Sequence, residues 1–247
     1  MTDVTVRRAT PMINSDMGEA LGLHSFGNDT ALLQTVDAIN VACGFHAGEP
    51  DTMAETVAAA QQKGVLIGAH PGLPDLVGFG RREMKLSPEE VEHLILYQVG
   101  ALTAFLRSEG AELNHIKPHG SLYGMLARDA ELMRSAARVA LLFDVPVYGI
   151  AGTAHQTVCE ELDVQFVAEL YVDLNYGPAG ELLIQRRPEP TDPAAAARRV
   201  SRALVDGLVE ASDGTLLTIP FHSICVHSDA PNSPEVAAAV RSALDSA

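Results

Sequence analysis

Several short apolar runs in this chain end in side chains that can do chemistry. Met12-Ile13 leads into Asn14 and Asp16, His115-Ile116 into Lys117 and His119, and Ile224-Cys225-Val226 into His227 and Asp229. The runs Ala38 to Ala42 and Val65 to Ala69 end at Cys43-Gly44-Phe45-His46 and at His70. In a strand, residues i and i+2 point to one side, so each pair faces a common space. When several strands of one sheet end this way, the groups can converge. That is the arrangement of a parallel α/β barrel with its active site at the C-terminal ends of the strands.

The residue types suggest roles. Asn14, Asp16 and Glu19 lie in Ile-Asn-Ser-Asp-Met-Gly-Glu. A carboxylate at a strand mouth can act as a general base or bind a cation, although an Asx turn would use the same residues structurally. His46 sits among small residues that allow backbone to approach a ligand. A lone His is more often structural, but His70 ends the adjacent predicted strand and favours a shared site. Cys43 fits a small buried residue better than a nucleophile. Residues 71–86 form a long Gly-rich segment of the kind used for binding loops or lids. Its Arg81 and Arg82 can make bidentate contacts with a carboxylate or phosphate. Lys117 can stabilise an oxyanion or hold a phosphate, and His119 can transfer a proton near neutral pH. Glu169 ends another apolar run and Asp173 follows four residues later. Asp and two His at strand ends can also hold one divalent metal for amide hydrolysis. The residues alone leave that choice open and assign no metal ligands.

The elements needed to position these groups are legible as alternating strand and helix patterns. Ala38 to Ala42 and Val65 to Ala69 read as strands around a helix from about Glu49 to Lys63 that stops at Gly64. Ser87-Pro88-Glu89-Glu90 predicts an N-cap, Pro at the first helical position and a capping glutamate, for a helix that ends at Gly110. Leu113 to Ile116, Pro146 to Ile150 and Val164 to Leu170 are predicted strands, with helices over Asp129 to Leu142 and Thr153 to Leu162 between them. Glu181 to Gln185 reads as an extra strand or hairpin arm outside the barrel. A helix follows from Asp192 to about Ala211, then apolar stretches at Leu216 to Ile219 and Ile224 to Val226, then a helix capped at Ser233. The first strand is the least regular, because Arg7, Arg8 and Pro11 interrupt it. About seven βα units without a linker predict one domain over residues 1–247: a parallel α/β barrel.

Composition narrows the partners. Hydrophobic residues make up 47% and aromatics only 5%, so the core is aliphatic and Ala-rich. A formal charge of −15 repels nucleic acid and anionic membrane, and an anionic small substrate would need a local positive pocket. Three scattered Cys without CxxC argue against a disulfide scaffold or thiolate metal site. No apolar run approaches a membrane span or a signal peptide, so a cytoplasmic protein is expected. There is no GxxxxGK[ST], no GxGxxG after a strand, no GxSxG and no HExxH, which disfavours P-loop ATPases, Rossmann enzymes and triad hydrolases.

The ordered motifs Asn14 to Glu19, Asn40 to Gly48, Gly68 to Gly72, Gly78 to Arg82, Lys117 to Tyr123 and Ile224 to Asp229 resemble the LamB/YcsF family. Its characterised members are the A component of bacterial ATP-dependent 5-oxoprolinase. The resemblance implies a (β/α) barrel of glycoside hydrolase/deacetylase type. It also implies opening of a small anionic lactam, 5-oxoproline, to L-glutamate with B and C subunits and with ATP, Mg2+ accompanying the nucleotide. Phosphate transfer to the lactam oxygen would make the ring carbon more electrophilic. On this reading Asp16, Glu19, His46, His70, Lys117, His119, Glu169 and Asp173 are the catalytic candidates. Asn14, Arg81, Arg82, His227 and Asp229 are the substrate-binding ones. Lys117 would stabilise the activated oxygen, and Asp16 with His46 or His70 would orient water. Three positions depart from the family pattern: Ser15 for a usual Cys, Leu174 for a usual Arg, and Ser228 for a usual Gly. The rival expectations are a metal-dependent amidase or deacetylase acting without ATP, and a non-catalytic lactam-binding subunit.

Overall fold

The computed structural model describes residues 10–24, 27–183 and 189–246. In chain order these form β1 (Met12–Met17), α1 (Asp29–Leu32), β2 (Ala38–Ala42), α2 (Pro50–Lys63), β3 (Leu66–His70) and α3 (Pro88–Ser108). Next come α4 (Gly120–Arg128), α5 (Ala130–Phe143), β4 (Val147–Gly149), α6 (Ala154–Glu161) and β5 (Phe166–Tyr171). The last third holds β6 (Asn175–Tyr176), β7 (Leu182–Leu183), α7 (Pro193–Asp206), β8 (Leu208–Glu210), β9 (Leu216–Thr218), β10 (Ser223–Cys225) and α8 (Ser233–Asp245).

Local chemistry sets the helix ends. The Glu49 side chain accepts from the backbone N–H groups of Asp51 and Thr52 to start α2. Ser87 and Glu90 form a reciprocal capping box on α3, with Pro88 in its first turn. Asp129 and Asp192 likewise cap α5 and α7 through their side chains. The buried stripe Val91, Leu94, Ile95, Val99, Leu102 and Leu106 keeps helical spacing along α3 and joins the aliphatic core.

Six strands form one parallel sheet in the order β3-β2-β1-β10-β5-β4. The segment at Ile116 joins its two edges, bridging Ala69 of β3 on one side and Val147 of β4 on the other. Lys117 N donates to Ala69 O at 2.9 Å, and Tyr148 N donates to Ile116 O at 3.0 Å. The expected barrel is present, but Leu113 to Ile116 is a pair of bridges rather than a seventh strand. Pro71, Pro118 and Pro146 flank this junction, and proline has no N–H with which to extend a ladder.

Other differences are local. The helix expected to run to Ala211 stops at Asp206, because Gly207 adopts φ 69° and caps it. Leu216–Thr218 then pairs antiparallel with Leu208–Glu210, outside the barrel. Helix α4 follows Lys117-Pro-His directly, where the sequence pattern predicts no helix. The hairpin arm near Glu181 is present as β7 paired with β6, while residues 184–188 lie outside the described residues, as do Arg7 and Arg8. All three cysteines are free and buried.

Candidate active site

Parallel register brings inward-pointing polar residues to one level of the barrel. Asp16 pairs with Asn40 across β1 and β2, and Ser223 with Glu169 across β10 and β5. Asn14 and Asp16, two residues apart on β1, share the interior. Asn14 donates to Glu169 Oε1 at 3.0 Å and to Ser223 Oγ at 2.8 Å. Asn40 donates to Asn14 Oδ1 and Asp16 Oδ1 at 2.8 and 2.7 Å, and its own Oδ1 lies 2.6 Å from His115 Nε2.

Lys117 enters this network with only 2% of its surface exposed. Its Nζ lies 3.1 Å from Asp16 Oδ1, 3.2 Å from Asn14 Oδ1, 3.3 Å from Glu169 Oε1 and 3.0 Å from Cys225 Sγ. Burial opposes its ammonium, but Asp16, with Cys225 and Glu169, outweighs that cost and holds its pKa well above the usual lysine value. Burial likewise opposes the Asp16 carboxylate, yet His70, Lys117 and His227 together pull its pKa well below the usual range. Glu169 Oε2 accepts from the phenols of Tyr171 at 2.9 Å and Tyr123 at 3.2 Å.

A second group lies beside the first. His70 Nδ1 is 2.7 Å from the Lys117 carbonyl, and its Nε2 is 3.4 Å from Asp16 Oδ2 and 3.0 Å from His119 Nδ1. His119 Nε2 reaches the Phe79 carbonyl at 2.8 Å, and its ring stacks on His46 at 3.7 Å. Glu19 Oε1 lies 3.3 Å from His46 Nε2 and 3.7 Å from His119 Nδ1. The loop backbone must come close to make this cluster. A Cβ on Gly72 would collide with His46 Nδ1, and Phe79 takes the left-handed φ of 55°. Burial, with Asp16 and Asp229 adding to it, pushes the Glu19 carboxyl well above its usual range. Burial also lowers His46 and His119 well below the ordinary imidazole value, keeping both neutral.

A cleft of about 650 Å³, counting its open mouth, leads from solvent to Asp16, His70 and Lys117. On its wall His227 Nδ1 pairs with Asp173 Oδ1 at 3.0 Å, while His227 Nε2 lies 3.7 Å from Asp16 Oδ2. Burial works against the imidazolium, but Asp173 overcomes it and raises the His227 pKa to about 9. Arg81 pairs with Asp229 at 3.0 Å and also lines the cleft. Arg82 turns the other way and pairs with Asp75, away from Lys117. Cys43 is buried, with its thiol pushed up to about 12, as befits a packing residue.

The fold therefore gathers Asn14, Asp16, Glu19, His46, His70, Lys117, His119, Glu169, Asp173, Arg81, His227 and Asp229, and leaves Arg82 aside. Asn40, His115, Tyr123, Tyr171 and Cys225 belong to the network although spacing does not single them out. Asn40 carries a signal, as a polar residue inside the apolar run Ala-Ile-Asn-Val-Ala. Leu174 lines the cleft, and its carbonyl accepts from Arg199 at 2.6 Å. Ser228 is buried, its carbonyl accepting from Asn28 and Ser233. Ser15 donates to the Val226 carbonyl at 2.6 Å.

Known proteins match nearly the whole chain. A lactam utilization protein lamB of Emericella nidulans is 46% identical over 238 residues, 95% of this chain and 94% of the relative. The A component of 5-oxoprolinase from Thermus thermophilus is 45% identical over 239 residues, 95% of this chain and 96% of the relative. The crystal structure of a lactam utilization protein from Thermus thermophilus superposes with a TM-score of 0.88 at 43% identity, covering 96% of this chain and 97% of the other. The LamB/YcsF family profile matches residues 12–247, and the chain belongs to that family.

Proposed function

We propose that this chain is the lactam-opening subunit of an ATP-dependent 5-oxoprolinase, working with B and C subunits to convert 5-oxoproline to L-glutamate. The role in lactam utilization follows its relatives' names, and their designation as one component of 5-oxoprolinase supports a multi-chain complex. The observation that carries the chemistry is the cleft itself, where one buried ammonium, one carboxylate and one protonated imidazole face the same space.

Each group suits one part of amide opening. Lys117 supplies positive charge beside the lactam oxygen as it accepts phosphate from ATP. Water then adds to the activated ring carbon, C–N cleavage leaves an acyl phosphate, and its hydrolysis by a second water releases phosphate and glutamate. Asp16 has one oxygen held by Lys117 and Asn40, leaving Oδ2 to orient the water. His227, held at Nδ1 by Asp173, presents Nε2–H to the ring nitrogen, which must gain a proton when the C–N bond breaks. Arg81 stands on the wall where a substrate carboxylate can exchange with Asp229.

A second reading, metal-dependent amide hydrolysis without ATP, is favoured by one observation, the buried cluster of Glu19, His46, His70 and His119. Glutamate release from 5-oxoproline separates the two. The expected result is turnover only with B and C subunits and ATP together. Turnover by the isolated chain without ATP would overturn the proposal in favour of the second reading.

A further inference from the structure

The cluster beside Lys117 has a hydrogen-bond pattern that cannot close on itself. A carbonyl oxygen only accepts, so the Lys117 carbonyl places a proton on His70 Nδ1 and the Phe79 carbonyl places one on His119 Nε2. His70 Nε2 and His119 Nδ1 then face each other at 3.0 Å, where at most one of them can donate to the other. Glu19 Oε1 and both nitrogens of His46 are buried and have no hydrogen-bond partner among the described residues. One donor atom from each of the four residues lies within 4.8 Å of all the others. A proton shared by His70 and His119 and another shared by His46 Nε2 and Glu19 Oε1, 3.3 Å apart, would still leave His46 Nδ1 without a partner.

We propose that Glu19, His46 Nε2, His70 Nε2 and His119 Nδ1 form a binding site for one divalent transition metal of the zinc type. Metal–ligand bonds of about 2.0–2.1 Å in a tetrahedron put donor atoms roughly 3.3–3.4 Å apart. Three of the six donor separations, 3.3 Å from His46 to Glu19, 3.7 Å from Glu19 to His119 and 3.0 Å from His119 to His70, bracket that value, and all six lie within 4.8 Å. Three imidazoles and one carboxylate select zinc, cobalt or nickel over magnesium or calcium, which prefer all-oxygen sites. The two carbonyls already hold the non-ligating nitrogens of His70 and His119, as outer partners of metal-bound histidines do. A Cβ on Gly80 would lie 2.8 Å from His46 Cβ and 2.9 Å from His119 Cδ2, so loop, rings and ligand geometry are packed as one unit. The ion would sit at the inner wall of the cleft, next to Asp16 Oδ2.

The site is the cluster on which the second reading rests, but metal binding alone does not decide between the two readings, and its test uses neither 5-oxoproline nor ATP. The full chain, stripped with a chelator, is titrated with Co2+. The expected result is one Co2+ per chain with the intense visible absorption of four-coordinate cobalt, displaced by Zn2+. Glu19→Gln and His46→Gln each weaken binding at least about 10-fold, while the exposed His93→Gln leaves it unchanged. Neither substituted side chain loses a hydrogen bond, and circular dichroism melting without metal verifies that both variants fold. Absence of stoichiometric binding by the wild-type chain would overturn the site. So would a weak six-coordinate spectrum, or unchanged affinity in the two variants.

Discussion

Lys117 and His46 both neighbour His70, in surroundings that treat charge differently. Around Lys117, Asp16 and Glu169 supply two carboxylates, Asn14 and Asn40 cross-link them, and Tyr123 and Tyr171 occupy the remaining Glu169 oxygen. Around His46, three buried polar atoms lack a hydrogen-bond partner among the described residues. Buried polar atoms are nearly always satisfied, because leaving one unpaired costs about 1–3 kcal/mol. The first region is complete in the polypeptide and holds its geometry by itself. The second is complete only with something added. Breaking the first should therefore damage folding and turnover together, whereas breaking the second should spare the fold.

The strongest break is Lys117→Met. It leaves Asp16 and Glu169 buried without their cation and should cost about 3–5 kcal/mol of stability, read from denaturant midpoints. Turnover in the reconstituted complex should fall by about 10²–10³ or more, read as kcat. A variant as stable and active as the wild type would show that the paired interior is dispensable.

Next is His227→Gln, which removes the proposed proton donor and should lower kcat about 10²-fold or more. His227 faces Asp173 from the turn after β5, Asp16 from β1 and Lys117 from the Ile116 bridge, with the Tyr171 ring beside it. Because its pKa is raised to about 9, wild-type activity should fall as pH rises through about 9. The same shift gives a stabilising contribution that is full below the ordinary imidazole value and is lost as pH rises through about 9. Asp173→Asn should move the alkaline limb to lower pH in the pH–rate profile.

His46→Gln tests the other region. Metal-free stability should change by less than about 1 kcal/mol, since no hydrogen bond is lost, and a denaturant melt measures it. A loss comparable to that of Lys117→Met would mean that the cluster holds the fold as the interior does. The smallest effect belongs to Arg82→Ala. Its guanidinium pairs with Asp75 outside the cleft, so KM for 5-oxoproline should not move.

Much of this is legible in the sequence where local rules govern. The i, i+2 pairing at Asn14 and Asp16 places both in the barrel, and the capping box at Ser87 and Glu90 sets the start of α3. Other features depend on closure. Ile116 completes the ring through single bridges, and a segment hemmed in by prolines looks like any short strand in sequence. Tyr123 and Tyr171 meet Glu169 only because α4 and β5 converge across the interior. Arg81 and Arg82 are neighbours that diverge. The loop turns at Phe79 and Gly80, both at positive φ, and periodicity carries no trace of that turn.

The claim that the chemistry belongs to this chain rests most directly on Asp16. Its near-isosteric variant Asp16→Asn, assembled with B and C subunits and supplied with ATP, is assayed for glutamate formation from 5-oxoproline. The account predicts an intact complex that turns over at least about 100-fold more slowly than wild type. Full turnover by that complex would contradict it and make the chain a lactam-binding subunit whose partners carry the catalytic groups.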